Sequence, residues 1–90
     1  MTDRTNMTDQ ELLATFTRAL RDLLADDSIE LNMGTKRSDV PNWDSFSYVT
    51  FIAAIEMQLG VKFRVADVES FATVGDIVRQ TKTLLKKSNI

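Results

Sequence analysis

In this chain of 90 residues, the chemistry-bearing stretch is Trp43-Asp44-Ser45-Phe46. Asp44 has the form of a helix N-cap, its side-chain oxygen accepting from the free N–H groups that open a helix. Ser45 then takes the first helical position, its hydroxyl facing solvent beside the positive end of the helix dipole. Taken alone, such a pair is what capping requires, and capping is its ordinary meaning. Two features add to it: a long loop precedes the pair, and the helix it opens has a spare apolar face. A serine acting as a hydrolytic nucleophile needs an activating base. The chain has no histidine and no cysteine. A catalytic triad, a thiol nucleophile, a cysteine-based or zinc metal site and a histidine pH switch are therefore all disfavoured.

The helix behind Ser45 runs to about Leu59, and Gly60 suits the left-handed position that ends a helix. At 100° per residue, Tyr48, Phe51, Ile52, Ile55 and Leu59 share one side. Phe46, Val49, Ala53 and Met57 share nearly the opposite side, with Ser47, Gln58 and Glu56 between the stripes. A helix in a small domain needs one stripe for its core. The second stripe asks for a partner.

The remaining elements must hold this helix in place. Thr8-Asp9-Gln10-Glu11 reads as a capping box, with Met7 and Leu12 in hydrophobic-staple positions. Leu12, Leu13, Phe16, Leu20, Leu23 and Leu24 then repeat at three and four, giving an amphipathic helix to about residue 25 that Asp26-Asp27-Ser28 stops. From Ala25 to Trp43 no period is visible, and the stretch holds Gly34 and the single proline, Pro41. Connections of that length usually wrap or function. Ile29, Leu31 and Met33 are the residues able to pin it. Asp26 and Asp27 lack the ligand spacing and closing glutamate of a calcium loop and fit a solvated helix end.

After Gly60, Val61-Lys62-Phe63-Arg64-Val65 alternates like a strand but has no second strand to pair with. It reads as an extended connector with Val61 and Phe63 inward. Residues 66–70 fit a short helix, with Val68 and Phe71 as anchors. Thr73-Val74-Gly75-Asp76 is a second capping-box-like start. Ile77, Val78, Thr81, Leu84 and Leu85 carry the last helix to about Leu85, with Lys82, Lys86 and Lys87 near its C-terminus. The expected fold is all-α: a small antiparallel four-helix bundle (three main helices plus one short helix), with a long loop between helices one and two.

Composition supports this. The hydrophobic content of 43% suits a globular domain able to fold without metal or disulfide. The net charge of −2, with no dominant basic stripe, argues against nucleic acid. Residues 1–44 carry nine acids and five bases, residues 45–90 four acids and six bases. No apolar run reaches membrane-spanning length, and the polar start is no signal peptide; a cytoplasmic protein is expected. The organisation expected is a flexible N-terminus over residues 1–7, one domain over 8–87 and a flexible C-terminus over 88–90.

The run Val40-Pro41-Asn42-Trp43-Asp44-Ser45-Phe46, followed by FIAAIEMQLGVKF and SFATVGDIV, resembles the acyl carrier protein family. That family is a four-helix bundle whose second helix opens with Asp-Ser-Leu, and its serine receives 4′-phosphopantetheine from coenzyme A. The similarity spans roughly residues 8–87. The resemblance implies that Ser45 is the attachment site and that Asp44 beside it helps the phosphopantetheinyl transferase engage. It further implies that Phe46, Val49, Ala53 and Met57, with Glu56, form the surface partner enzymes touch. Phe51, Ile52, Ile55, Leu59, Phe63, Val68, Phe71 and Ile77 would line the interior, where some members shelter an acyl chain. It implies no catalytic residue and no metal: a monomeric carrier, modified and used by acyl-activating, acyltransferase or synthase enzymes. A helix N-terminus tolerates the phosphodiester so formed, and the arm's thiol supplies the sulfur this chain lacks.

Two departures stand out. Phe46 replaces the usual leucine, and the second helix keeps only Glu56 where many members carry several acids. Such acids speed encounter with basic partner surfaces. Ser47, Thr50, Met57 and Gln58 stand there instead, so a specialised partner with a more apolar, less salt-sensitive contact is expected. Fatty-acid, polyketide, amino-acid and polysaccharide-modifying pathways are all left open. The competing readings are an aminoacyl or peptidyl carrier, and an interaction domain with the carrier fold but no arm, bound through Phe46, Val49, Ala53 and Met57. In that second case Ser45 has no purpose. Phe46 and Met57 could also be scattered surface apolars, and Trp43 is read as a hydrophobic plug closing the loop onto the bundle. A DNA-binding helix-turn-helix is disfavoured because the second helix is apolar rather than basic.

Overall fold

The computed structural model describes residues 7–88. Four helices appear in order: α1 (Asp9–Leu24), α2 (Ser45–Leu59), α3 (Val65–Ser70) and α4 (Val74–Ser88). There is no strand among the described residues. The expected chain-end segments over residues 1–6 and 89–90 lie outside the described residues. Met7, counted with the N-terminal segment in the sequence, packs against the core.

The start of α1 follows from Thr8. Its hydroxyl accepts from the Glu11 N–H at 3.1 Å, while the Glu11 carboxylate accepts from the Thr8 N–H at 2.9 Å. Leu12, Phe16 and Leu20 are fully buried, whereas Leu23 at the end of the stripe is 37% exposed. The helix stops one residue before the expected acidic run. Ala25 adopts the left-handed conformation, φ 53°, and its N–H bonds the Arg21 carbonyl.

The long connection is tied down by more than its three expected anchors. Ile29 is buried and Leu31 and Met33 are half-buried, but Val40 and Thr35 are buried as well. The Thr35 hydroxyl accepts from the Asn32 N–H at 2.9 Å. The carbonyls of Met33 and Thr35 accept, each at 2.8 Å, from the N–H groups of Gly75 and Val74. Two of the unpaired donors that open α4 are thus satisfied by the loop. This close approach is why residue 75 is glycine: a Cβ there would lie 2.6 Å from the Met33 carbonyl oxygen. A 3-10 turn at Arg37–Asp39 follows, invisible in the sequence because three residues carry no period.

Val61 and Phe63 turn inward as expected, and the backbone from Val61 to Arg64 is extended and unpaired. The helix α3 begins one residue early, at Val65, which is 74% exposed. Val68 and Phe71 are half-buried rather than deep anchors. The helix α4 opens as expected, Thr73 and Asp76 bonding reciprocally, but continues to Ser88 rather than ending near Leu85. Lys82 joins its exposed side to the first turn of α1, Nζ lying 2.9 Å from Asp9 Oδ1. Such an exposed pair contributes ~0–1 kcal/mol.

The core gathers around Phe51. Phe16 and Trp43 meet its ring edge-on, with centroids 5.8 and 5.3 Å away. Ile52, Ile55, Ile77, Val78 and Leu85 belong to the same core.

Candidate functional site

The turn Val40-Pro41-Asn42-Trp43 delivers the site. Pro41 takes the second turn position, where its fixed φ is favoured, and Asn42 the third with φ 69°. The Trp43 N–H then reaches the Val40 carbonyl at 3.3 Å. This drops Trp43 into the core, 4% exposed, and leaves Asp44 extended at the mouth of α2. Asp44 Oδ1 accepts from the Ser47 N–H at 2.9 Å, and its carbonyl takes the first helical bond, from Tyr48, at 2.8 Å. Asp44 is the N-cap and Ser45 the first helical residue, as the sequence predicts.

Electrostatics at this end favour an anion. The Ser47 backbone N–H, and after it the Ser47 hydroxyl, hold the Asp44 carboxyl below its ordinary value of 3.8, with the field of Arg37 adding in the same direction. The free N–H groups and the dipole of α2 point the same way. Ser45 is exposed.

The two stripes of α2 separate cleanly. Phe51, Ile52, Ile55 and Leu59 are buried. Phe46, Val49 and Met57 are 80%, 60% and 86% exposed, and Ala53 is exposed between them. The structure therefore brings Phe46, Val49, Ala53 and Met57 together on the free side of the helix that opens with Ser45. Glu56 is placed differently. Its carboxylate accepts from the Phe63 N–H at 2.8 Å, tying the end of α2 to the connector that follows.

A cleft of about 920 Å³ opens beside Ser45. The 35–38 segment, Tyr48 and Val49 of α2, Val68 and Phe71 of the α3 region, and Val74 and Ile77 of α4 enclose it. The Tyr48 hydroxyl donates to the Val68 carbonyl at 2.8 Å, fastening α3 across the cleft. Burial pushes the Tyr48 hydroxyl up to about 12, although Arg37 acts in the opposite direction. Arg37 lies over the Tyr48 ring, its guanidinium carbon 5.2 Å from the centroid. Trp43 borders the cleft too, and its Nε1–H is buried without a hydrogen-bond acceptor among the described residues. An orphaned buried donor costs roughly 1–3 kcal/mol. The reading of Trp43 as a plug accounts for its ring but leaves this polar atom over.

Arg37 and Thr35 carry no signal in the sequence, because the segment from Ala25 to Trp43 has no period to place them. The Pro41-Asn42 pair is a turn signal that would have located the entry to the site. No group of three or more acidic, histidine or cysteine side chains among the described residues could hold a metal. No helix of the described residues is long and apolar enough to cross a membrane.

This architecture has recognisable relatives. The family model described as the phosphopantetheine attachment site matches residues 43–80, from Trp43 through α2 and α3 into α4. The solution NMR structure of a holo acyl carrier protein from Geobacter metallireducens is similar to this chain, with a TM-score of 0.79 and 28% identity. The match covers 86% of this chain and 88% of that one. No curated protein matches.

Proposed function

We propose that this chain, which belongs to the acyl carrier protein family, carries 4′-phosphopantetheine on Ser45 and shuttles an acyl or related thioester between separate enzymes. The observation that carries the reading is Ser45 itself: an exposed hydroxyl on the first turn of α2, behind the Asp44 cap, on the helix whose outer side is apolar. The protein is a carrier and not an enzyme.

The residues present fit the prosthetic group. Ser45 Oγ offers the attachment oxygen, and the N-terminus of α2 favours the phosphodiester charge. Arg37 at the cleft rim is in none of the close ion pairs of the described residues. Trp43 Nε1–H is a donor without an acceptor among the described residues. Loading by a phosphopantetheinyl transferase forms an oxygen–phosphorus bond at Ser45 and breaks the pyrophosphate bond of coenzyme A. The hydroxyl proton is lost and the nucleotide half leaves. When bound, the group supplies the thiol that this cysteine-free chain lacks.

Asp44 holds the first turn of α2 in the form the transferase meets. Phe46, Val49, Ala53 and Met57 are the surface that successive enzymes read. In α2 the only acid is Glu56, and its carboxylate is engaged by the Phe63 N–H. Partner contact through this face is then mainly apolar and depends weakly on salt. That marks a specialised enzyme set, acting in the cytoplasm on a monomeric carrier.

Incubation with coenzyme A and a broad-specificity transferase tests the reading by intact mass. Wild type gains one phosphopantetheine and Ser45→Ala gains none. An unmodified wild type, or a modified Ser45→Ala, contradicts it.

A further inference from the structure

Two residues that border the cleft beside Ser45 carry side-chain donors with no protein acceptor among the described residues. Trp43 Nε1–H is buried without an acceptor, in a residue 4% exposed. Tyr48 and Phe51 meet the indole only edge-on, with centroids 6.0 and 5.3 Å away. Arg37 is the second: its guanidinium carbon lies over the Tyr48 ring, 5.2 Å from the centroid, and the group forms no close ion pair with any described carboxylate. Buried polar groups without partners are uncommon enough to need a reason. A guanidinium placed over a ring without a carboxylate partner is available to an anion.

Resting on the attachment at Ser45, we propose that the cargo-free arm folds back into this cleft, where Arg37 meets its phosphodiester and Trp43 Nε1–H donates to one of its amide carbonyls. The arm leaves from a residue that itself lines the cleft. It begins with an anion, which suits Arg37, and continues through amides whose carbonyls are the acceptors the indole lacks. Val49 belongs both to this cleft and to the outer apolar side of α2.

The chain has one tryptophan, so ¹⁵N-labelled full-length protein gives one indole resonance. Apo and holo forms are compared, with attachment checked by intact mass. The holo protein shows a shifted indole N–H that exchanges more slowly with solvent. Arg37→Gln loses most of that shift, and Lys86→Gln keeps it. Because the chain has no cysteine, the arm carries the only thiol. Its alkylation is slower in wild type than in Arg37→Gln or Trp43→Phe. Coincident apo and holo resonances at confirmed holo mass overturn the proposal. So does a shift that appears only after an acyl group is loaded, which would assign the donor to the cargo. An unmodified mass overturns the attachment at Ser45 and this proposal with it.

Discussion

Phe51 and Phe46 are the same residue type on the same helix, yet one is fully buried and the other 80% exposed. The inner face of α2 is explained by folding alone: Phe51 packs edge-on against Phe16 and Trp43, and Ile52, Ile55 and Leu59 extend the contact. Burying a phenylalanine contributes ~1.5–3 kcal/mol relative to leaving it in water. The outer face contributes nothing of the kind. An apolar patch rimmed by polar residues marks an interaction site more often than chance exposure does. On the proposed function, the difference between the faces separates what the chain needs in order to fold from what partner enzymes would read.

The largest effect that would break this comparison is on the inner face. Phe51→Ala should cost ~3–5 kcal/mol in stability by denaturant titration, as large aromatic truncations in cores do. Phe46→Ala, by contrast, should stay within ~0.5 kcal/mol, as surface substitutions usually do. A comparable loss at both positions would mean that Phe46 is structural. Tyr48 stands between the faces. Tyr48→Phe removes the bond to the Val68 carbonyl and should cost ~0.5–1.5 kcal/mol.

Tyr48 also sets a limit at high pH. Its hydroxyl is raised from 10.0 to about 12 by burial, so the neutral form is favoured in the folded protein. The stability from this group is complete below pH 10 and lost as pH rises from 10 towards 12. Wild type should weaken across that window more steeply than Tyr48→Phe. The smallest effect is at the cap. Asp44 is held below 3.8 by Ser47, so its contribution is present above the ordinary carboxylate range and fades as pH falls through its lowered value. Asn caps about as well as Asp. Asp44→Asn should therefore match wild type near neutral pH with a shallower acid dependence, while its rate of phosphopantetheinyl transfer falls.

The outer face can be sharpened with a partner. Phe46→Ser and Met57→Ser should each weaken docking of a cognate enzyme several-fold, leave the melting transition in place, and do so nearly equally at low and high salt. A steep loss of wild-type docking with added salt would point to charges elsewhere.

Much of this was legible in the chain because helices advertise themselves. The capping box at Thr8, the 3.6 period of α1 and α4, the double stripe of α2 and the Gly60 stop are all local signals, and each element is present, although α3 starts one residue early and α4 runs on to Ser88. What escaped was what depends on distant contacts. Thr35 and Met33 cap α4 with backbone carbonyls, which carry no side-chain signature. Gly75 looked like part of a capping sequence, and its close approach to Met33 belongs to the folded chain only. Arg37 sits on the cleft because a 3-10 turn and Tyr48 place it there. The engagement of Glu56 by Phe63 was equally hidden, since it needs the connector to turn back on α2.

The central claim is that one hydroxyl, Ser45 Oγ, is the point of attachment. Fragmentation of the modified protein by tandem mass spectrometry tests it against the neighbouring hydroxyls of Ser38, Ser47, Tyr48 and Thr50. The account predicts that the added phosphopantetheine maps to Ser45 alone. A fragment carrying it on any other residue, or no added group on protein isolated from its native host, would contradict the account.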